Sequence, residues 1–522
     1  MLGPLTSPCD NGVIRGTARD AAGCASRSKP WVLATSIIAS SMAFIDGSVV
    51  SVALPALQQN LHVAVREAQW IVNGYMLMLG ALILAGGGAG DRFGRRRVFM
   101  TGVSVFASGS ALCGWAPNAN ILIGARVLQG IGAALLVPNS LALISAAFPE
   151  SERGRAIGTW AAASALTTAL GPVLGGWLVD TWSWRLIFLI NIPIAIAAWL
   201  LALMHVPESR DTASSKSLDW RGALLATIGL GAIAYGLTSA SAQSWSHPAV
   251  LVPTLVGIVM LCIFAWLEAR AANPMLPLAL FRSANFAGAN SMTLFLYFSL
   301  SGVLFFVPYQ LIRVQNYSAT LAGASFLPFS LIMGALSRWS GGLTDRYGAR
   351  IPLIIGSTIA ALGLALFATA GMERSYWMSI FPAMVVLGIG MGIAVAPLTT
   401  TVMRDAGERY TGVASGINNA TARVAGLLAV ALLGSIAVGI FDATLDDRLR
   451  QTSLSPDVVQ AVRREIPKLA DAQVPANARG EQRRQLETLL KISLAHTFRI
   501  VVSICASVAL LSALIAAVMI DR

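Results

Sequence analysis

The sequence predicts an all-α protein that crosses a membrane many times. Of its 522 residues, 56% are hydrophobic and only 12% are charged, and the mean hydropathy is +0.68. Soluble domains carry about 25% charged residues, so this composition is too apolar for a soluble chain. The hydrophobic residues also gather in runs of roughly 20 residues, the length that a helix needs to cross a bilayer.

Fourteen such runs follow one another along the chain. An even number of crossings leaves both termini on one side of the membrane. Residues 1–30 are polar and contain no apolar segment of their own, so we expect a disordered cytoplasmic tail there and not a cleaved signal. The runs are 31–57, 68–88, 98–115, 121–147, 156–179, 186–206, 222–240, 250–267, 286–312, 321–340, 351–371, 377–403, 413–440 and 494–520.

The basic residues predict which side of the membrane faces the cytoplasm. The turn 87–97 holds four arginines beside one aspartate, and positive charge favours the cytoplasmic side. With that turn inside, most other arginines and lysines also fall in inside loops. We therefore predict a multi-pass protein of the plasma membrane, the inner membrane of a bacterium, with both termini cytoplasmic. The outer segment 441–493 is rich in both signs, and we expect two short surface helices in it, at 458–469 and 482–494.

The remaining composition excludes several classes of function. The net charge of +12 reflects topology and not nucleic-acid binding, because the cations lie mostly in loops between apolar runs. The five cysteines are scattered, which predicts neither a disulfide framework nor a metal site. No His-Glu-x-x-His, Gly-x-Ser-x-Gly or Walker pattern occurs. We expect no catalytic residues, no metal and no cofactor, and a membrane-embedded enzyme or a receptor is the less favoured alternative.

Three short motifs occur twice, in the same order, at offsets of 254 to 258 residues. Six runs therefore belong to each repeat, and two further runs are inserted between the repeats. Such a duplication is hard to attribute to chance, because all three offsets nearly agree. The motif pairs are Asp91-Arg92-Phe-Gly94 with Asp345-Arg346-Tyr-Gly348, the glycine-rich stretch 130–138 with 388–397, and Glu152-Arg153 with Glu408-Arg409.

The repeat predicts two six-helix bundles, with two additional helices that are central in the sequence. Parallel repeats of this kind are typical of membrane transporters whose two halves rock around a site between them, so we expect two moving halves here. The predicted parts are the tail 1–30, an N-terminal bundle 31–206, a linker 207–221, the inserted pair 222–268, a second linker 269–285, and a C-terminal bundle 286–522 that includes the outer loop 441–493.

Asp46 is the only carboxylate well inside a predicted span. An ionisable residue at such depth is costly and usually marks a proton or ion pathway. A helix rises 1.5 Å per residue, which gives the depth of each residue below the outer end of its run. The depths of Arg126, in the fourth run, and Asp46 differ by about the length of one arginine side chain. We expect the two to form a pair that breaks on protonation. The alternative is a structural acid that stays ionised, with Arg126 holding the first and fourth helices together.

The turn after the second run resembles the loop between the second and third helices of the major facilitator superfamily. That family pattern is Gly-x-Leu-Ala-Asp-Arg-x-Gly-Arg-Arg, and this sequence departs from it at Ala89 and Gly90. The resemblance implies a conformational-switch loop, whereas the alternative is an ordinary basic loop that flanks the membrane. The switch residues would be Gly87, Asp91, Arg92, Gly94, Arg95 and Arg96, with Asp345, Arg346 and Gly348 in the second repeat.

Two further motifs resemble facilitator patterns. Arg126-Val-Leu-Gln129-Gly-Ile-Gly132 is similar to Arg-x-x-Gln-Gly-x-Gly, which the family links to proton coupling. The fifth run is similar to the antiporter motif Gly-x-x-x-Gly-Pro-x-x-Gly-Gly, with Thr167 in place of the first glycine. The antiporter motif implies a seam that keeps the outer gate closed, and simple packing of small residues is the alternative. The seam residues are Gly171, Pro172, Gly175 and Gly176.

Four polar residues are candidates for lining a substrate cavity. Arg423, in the thirteenth run, has no mid-membrane acid in its own repeat. Three roles are open for it: pairing with Asp46 across the cavity, donating to backbone carbonyls, or binding an anionic group of a substrate. Asn139, Asn418 and Asn419 fall near similar depths and would line the cavity with it.

Over residues 31–520 the motifs resemble the fourteen-span drug:proton antiporter branch of the superfamily. The phrases Ile45-Asp46, Val52-Ala-Leu-Pro55, Gly412-Val-Ala-Ser415 and Trp184-Arg185-x-x-Phe188-x-x-Asn191 add to the match. The resemblance implies export of lipophilic or cationic drugs against proton entry, with the lipid bilayer, a small-molecule substrate and protons as partners. It also allows a periplasmic adaptor protein. A dedicated exporter of one metabolite, lipid or siderophore, or an importer, is the alternative among transporters.

Overall fold

The computed structural model describes residues 18–210, 219–271, 274–371, 375–452, 454–475 and 478–521. These ranges are helical with short connections and contain no β-strand. Fourteen helices within them are long and apolar enough to cross a membrane, and each overlaps one predicted run, which confirms the predicted all-α, fourteen-span fold. The spans are α1 (Ser28–Leu61), α2 (Val65–Phe93), α3 (Arg95–Trp115), α4 (Ala119–Ala147), α5 (Ser151–Thr181), α6 (Leu186–His205), α7 (Trp220–Ser239), α8 (Pro248–Arg270), α9 (Ala284–Val314), α10 (Ala319–Ser337), α11 (Arg350–Thr369), α12 (Tyr376–Gly407), α13 (Tyr410–Leu449) and α14 (Gly480–Met519).

The N-terminal boundary differs from the prediction. The helix that contains α1 begins at Ala18, so residues 18–30 are helical and not disordered. Alanine recurs in this stretch, and alanine has the highest helix propensity of all residues. Residues 1–17 of the predicted tail lie outside the described residues.

The segment between α13 and α14 is also more helical than predicted. A short helix, Pro456–Glu465, is followed by a 3-10 turn, Ile466–Asp471, at the place of the first predicted surface helix. The second predicted helix is not separate, because the helix of α14 runs without a break from Gly480. Leu486 and Leu490 are buried there and extend the apolar face of α14 ahead of its predicted start at Leu494.

The spans form two bundles, α1–α6 and α9–α14. In the first bundle α1 packs on α4, α5 and α6, and α4 packs on α2 and α3. In the second bundle α9 and α11 both pack on α14. The inserted helices α7 and α8 pack on each other, and α7 also contacts α2 and α13. The inserted pair is therefore central in the sequence but lies beside the junction of the two bundles.

The two ends of the spans differ in charge. We call the end where α2 meets α3, and where Arg95–Arg97 lie, the basic face, and we call the other end the opposite face. Near the opposite face α5 of one bundle meets α10 of the other. A Cβ on Gly176 would clash with the carbonyl of Ala319, and a Cβ on Gly323 would clash with the carbonyl of Pro172. The two bundles are thus closed against each other there.

Toward the basic face the same two helices separate. A side chain added at Gly154 or Gly158 of α5, or at Gly334 of α10, would meet nothing within 4 Å. Along α5 and α10 the space between the bundles is therefore closed at the opposite face and open toward the basic face.

The second junction between the bundles joins α2 and α13. Glycines let the two helices approach closely, since small residues are what close packing of membrane helices requires. A Cβ added to one of these glycines would contact a side chain of the other helix: Arg423 for Gly80, Leu84 for Gly416, Met76 for Gly426, and Gln69 for Gly434.

Candidate functional site

Asp46 lies near the middle of α1, inside the N-terminal bundle. Its side chain is completely buried, and its carboxylate forms an ion pair with Nη1 of Arg126. The carboxylate also accepts a hydrogen bond of 2.8 Å from Nε2 of Gln129. The two residues that the sequence pairs are therefore in direct contact, and neither faces lipid.

The guanidinium of Arg126 has several partners inside the bundle. Its Nε donates to the carbonyl of Ile71 on α2 at 2.9 Å, and its Nη1 also donates to Oε1 of Gln129 at 2.7 Å. The guanidinium carbon lies 4.4 Å from the centre of the Tyr75 ring. Further hydrogen bonds make a buried ion pair more tolerable, and both Asp46 and Arg126 make such bonds here.

The pair belongs to a larger buried polar network. Nε2 of Gln129 donates also to Oγ of Ser110 at 3.2 Å, and Nδ2 of Asn191 donates to the same oxygen at 3.0 Å. The hydroxyl of Ser110 donates to the carbonyl of Phe188 at 2.8 Å. The sequence motifs contained Gln129 and Asn191, but sequence reasoning did not predict that they form a network with Ser110 beside Asp46, although polar residues within apolar runs were an available signal.

The predicted switch loop forms a tight turn. Oδ1 of Asp91 accepts hydrogen bonds from Nε and Nη2 of Arg95 at 2.9 and 2.8 Å. Gly94 joins α2 to α3 with a φ of 107°, which disfavours any residue with a side chain. Arg96 is buried and donates to the carbonyl of Val206. Arg92 remains exposed beside Phe93.

Glu208 completes this loop and was missed by sequence reasoning. Its carboxylate accepts hydrogen bonds from the backbone nitrogens of Arg96 and Arg97 at 3.0 and 3.2 Å. These N–H groups begin α3 and have no partner within the helix, and a negative charge is favoured at that end. Glu208 thus fastens the end of α6 to the turn between α2 and α3.

The counterpart loop in the second repeat has a similar backbone. Gly348 has a φ of 73° at the point where Gly94 stands in the first repeat. Arg346 lies in the last turn of the helix Leu327–Tyr347, which continues from α10 beyond the span. The side chain of Asp345 lies outside the described residues. Gly87, on α2, packs beside Pro138 of α4.

The predicted antiporter seam packs α5 against two helices at once. A Cβ on Gly171 would clash with Ser48, and one on Gly175 would clash with Val49, so both glycines let α5 lie against α1 just beyond Asp46. Gly176 and Pro172 face α10 of the other bundle. The seam therefore connects the helix that carries Asp46 to the closed junction at the opposite face.

Asp180 strengthens this junction and was also missed. Its carboxylate accepts hydrogen bonds from the backbone nitrogens of Ala319 and Thr320 at 3.0 and 2.7 Å, and from the Thr320 hydroxyl at 2.6 Å. An aspartate on α5 thus caps the first turn of α10 across the boundary between the bundles.

We expect Asp180→Asn to weaken closure at the opposite face. A side-chain cap contributes about 1 kcal/mol, so its loss favours the open arrangement by up to roughly fivefold. Distance distributions between spin labels on the ends of α5 and α10 would measure this shift. The matched control is Asp447→Asn, which changes an exposed aspartate of α13. Identical distributions for the wild type and Asp180→Asn would contradict the expectation.

The predicted cavity residues separate into two groups. Asn139 is completely buried, and its Nδ2 donates to the carbonyls of Gly86 and Leu135 at 2.9 and 2.7 Å. The prediction that Asn139 lines a cavity is wrong, because the close approach of α2 at Gly90 encloses its side chain. It joins α4 to α2 within one bundle.

The other three candidates lie on α13. Nδ2 of Asn418 donates to Oγ1 of Thr293 at 2.6 Å and to Oδ1 of Asn290 at 3.4 Å, which ties α13 to α9. Asn419 is exposed and Arg423 is half-buried. Arg423 forms no ion pair with Asp46, which is paired with Arg126 instead.

Two helix bundles that face each other across a space closed at one end define a multi-span membrane transporter. The chain belongs to the Major Facilitator Superfamily, whose family model matches residues 36–430. A solved structure of a bacterial homologue of the human lysosomal transporter Spinster, in an inward-facing and unoccupied conformation, matches 95% of this chain and 99% of that chain. The TM-score is 0.66 and the identity is 17%, so this likeness concerns the fold alone.

Several curated relatives are named for drug or antibiotic resistance. Multidrug resistance protein Stp of Mycobacterium tuberculosis is 36% identical over 80% of this chain and 77% of that protein. The tetracenomycin C resistance and export protein of Streptomyces glaucescens is 32% identical over 82% of this chain and 80% of that protein. Puromycin resistance protein pur8 of Streptomyces alboniger is 35% identical, with coverages of 80% and 83%.

Proposed function

We propose that this protein is a proton-coupled antiporter that exports lipophilic drugs from the cytoplasm by alternating access. The names of its relatives support resistance and efflux as the broad role. The basic residues support a cytoplasmic position for the basic face and for both termini. The bacterial relatives support the inner membrane of a bacterium as its location. The observation that carries the coupling is the fully buried ion pair of Asp46 and Arg126.

Protonation of this pair supplies a driving force for movement. A proton on Asp46 removes its negative charge and leaves the buried guanidinium of Arg126 without a counterion. Leaving one member of a buried ion pair uncompensated costs about 3–5 kcal/mol. This cost destabilises the present arrangement of the surrounding helices and favours a different one. In the arrangement seen here Asp46 is sealed from the space between the bundles, so proton exchange requires such a rearrangement.

The seam couples such a rearrangement to the α5–α10 junction at the opposite face. α5 lies against α1 through Gly171 and Gly175, one turn from Asp46, and against α10 through Gly176. A shift of α1 therefore moves α5 relative to α10. With the basic face in the cytoplasm, the present arrangement is open inward, and opening of the α5–α10 junction would expose the space to the outside.

Gradient-driven dye transport tests the proposed function. Purified protein in liposomes with an acidic lumen is mixed with lipophilic dyes that are anionic, neutral or cationic. We expect at least one dye to accumulate only while the pH gradient lasts, and a protonophore to abolish the accumulation. Dye movement that is the same with and without a pH gradient would contradict proton coupling.

A further inference from the structure

Arg423 sits where the two bundles meet. A Cβ added to Gly80 of α2 would lie 3.1 Å from Cβ of Arg423, so α13 touches the N-terminal bundle at this residue. Arg423 is thirteen residues into α13, a position deep in the membrane. An arginine at that depth is costly unless it meets a counterion or a water-filled space.

The helical geometry of α13 shows where Arg423 points. Gly416 contacts α2, and Asn418 is hydrogen-bonded to α9. A helix has 3.6 residues per turn, so Asn419 and Arg423 point in nearly the same direction from α13. Viewed down the helix axis, this direction lies between that of Gly416 and that of Asn418. Both side chains therefore point between α2 and α9, into the space between the bundles. The exposure of Asn419 agrees with this direction.

The guanidinium of Arg423 has unused donors. Across the ranges that the structure describes, it takes part in no hydrogen bond and no ion pair. Its electrostatic neighbours are the phenols of Tyr75 and Tyr297. Tyr297 lies on α9 one turn beyond Thr293, which bonds to α13, so its ring is directed toward α13 at the level of Arg423.

Two of the three roles that the sequence left open for Arg423 lack support. Asp46 is paired with Arg126 inside the other bundle, and in the described part no backbone carbonyl accepts a hydrogen bond from Arg423. A half-buried cation with free donors beside an open space fits the third role, which is recognition of an anion. Guanidinium groups bind carboxylates and sulfonates through two parallel, charge-assisted hydrogen bonds.

We propose that Arg423, assisted by Tyr297 and Asn419, binds an anionic group of the transported compound. The substrate class is therefore lipophilic molecules that carry a carboxylate, a sulfonate or an ionised enol. Simple cations are disfavoured, because Arg423 repels them and the carboxylate of Asp46 is buried and already paired. The inference deepens the proposed function, and its transport consequences rest on that function, whereas binding of the anion does not.

A matched pair of dyes tests this subsite. Anilinonaphthalene sulfonate is anionic, and phenylnaphthylamine has the same rings without the sulfonate. Binding of each dye is measured by fluorescence, with no pH gradient, to the full chain in phosphatidylcholine nanodiscs. The variants are Arg423→Gln, Arg423→Lys, and the control Arg484→Gln, which removes the same charge from an exposed position outside the α2–α13 junction.

We expect Arg423→Gln to weaken binding of the sulfonate dye roughly tenfold or more, as loss of a hydrogen bond to a charged group does, and to leave binding of the neutral dye within twofold. Arg423→Lys is expected to be intermediate, and Arg484→Gln to match the wild type. Equal losses for both dyes would show a structural role for Arg423, and unchanged binding of the sulfonate dye would show that it contacts no anion. Either result overturns the proposal.

Two further measurements separate the alternatives. Replacing part of the phosphatidylcholine by phosphatidylglycerol should leave sulfonate binding unchanged, and displacement of the dye would assign the subsite to a lipid phosphate and overturn the substrate proposal. In liposomes, a pH gradient that moves neither these two dyes nor a cationic dye, while the binding difference persists, would refute the proposed antiport and leave the anion subsite standing.

Discussion

Replacing Asp46 with asparagine is expected to abolish proton-driven transport while the protein still folds. Asparagine has nearly the same shape, and its carbonyl oxygen can still accept a hydrogen bond from Arg126. It cannot gain or lose a proton in the physiological range, so the pair can no longer switch between a charged and a neutral acid. Dye accumulation in liposomes with an acidic lumen should fall to the level of liposomes without protein.

The control for this experiment is Asp447→Asn, an exposed aspartate on α13, which should transport at the wild-type rate. Size-exclusion profiles and thermal unfolding in detergent establish that both variants fold. Asp46→Asn that keeps full gradient-driven transport would remove Asp46 from the coupling mechanism and leave it as a structural acid.

Arg126→Gln is expected to have the largest effect on stability. Glutamine leaves Asp46 fully buried without its counterion and also removes the bond to the carbonyl of Ile71. Breaking a buried ion pair from one side costs about 3–5 kcal/mol. Thermal and denaturant unfolding of the purified variant in detergent would measure the loss, and transport should be absent.

A double-mutant cycle distinguishes an ion pair from two independent contributions. In Asp46→Asn/Arg126→Gln no charge remains buried at this point, so we expect stability to recover above that of Arg126→Gln alone. Transport should stay absent because the proton site is gone. Strictly additive losses of stability would show that the two residues do not act as a pair.

Much of the architecture could be predicted from the sequence, because a bilayer imposes simple constraints. Each crossing needs a long apolar run, and each predicted run overlaps one membrane span of the structure. The pairing of Asp46 with Arg126 was also accessible, since a deep acid and a deep arginine at matching depths have few other partners. The helix starts were less accessible, as Ala18 shows, because propensity extends a helix beyond the apolar run that marks it.

The residues that sequence reasoning missed act across long separations. Glu208 caps α3 from 112 residues away, and Asp180 caps α10 from 139 residues away. No local pattern signals such a contact, because it depends on how whole helices are arranged. The error at Asn139 has the same origin. Its position in the fourth run gave its depth in the membrane, but the sequence did not show which neighbouring helix its side chain faces.

Infrared difference spectroscopy tests the central claim most directly, by observing the proton on Asp46 itself. The carbonyl stretch of a protonated carboxyl group is recorded in lipid as the pH is lowered, for the wild type and for Asp46→Asn. We predict a band that grows with acidity in the wild type, shifts in heavy water and is missing from Asp46→Asn. Identical spectra for the two proteins across the full pH range would show that Asp46 does not titrate, and would contradict the account.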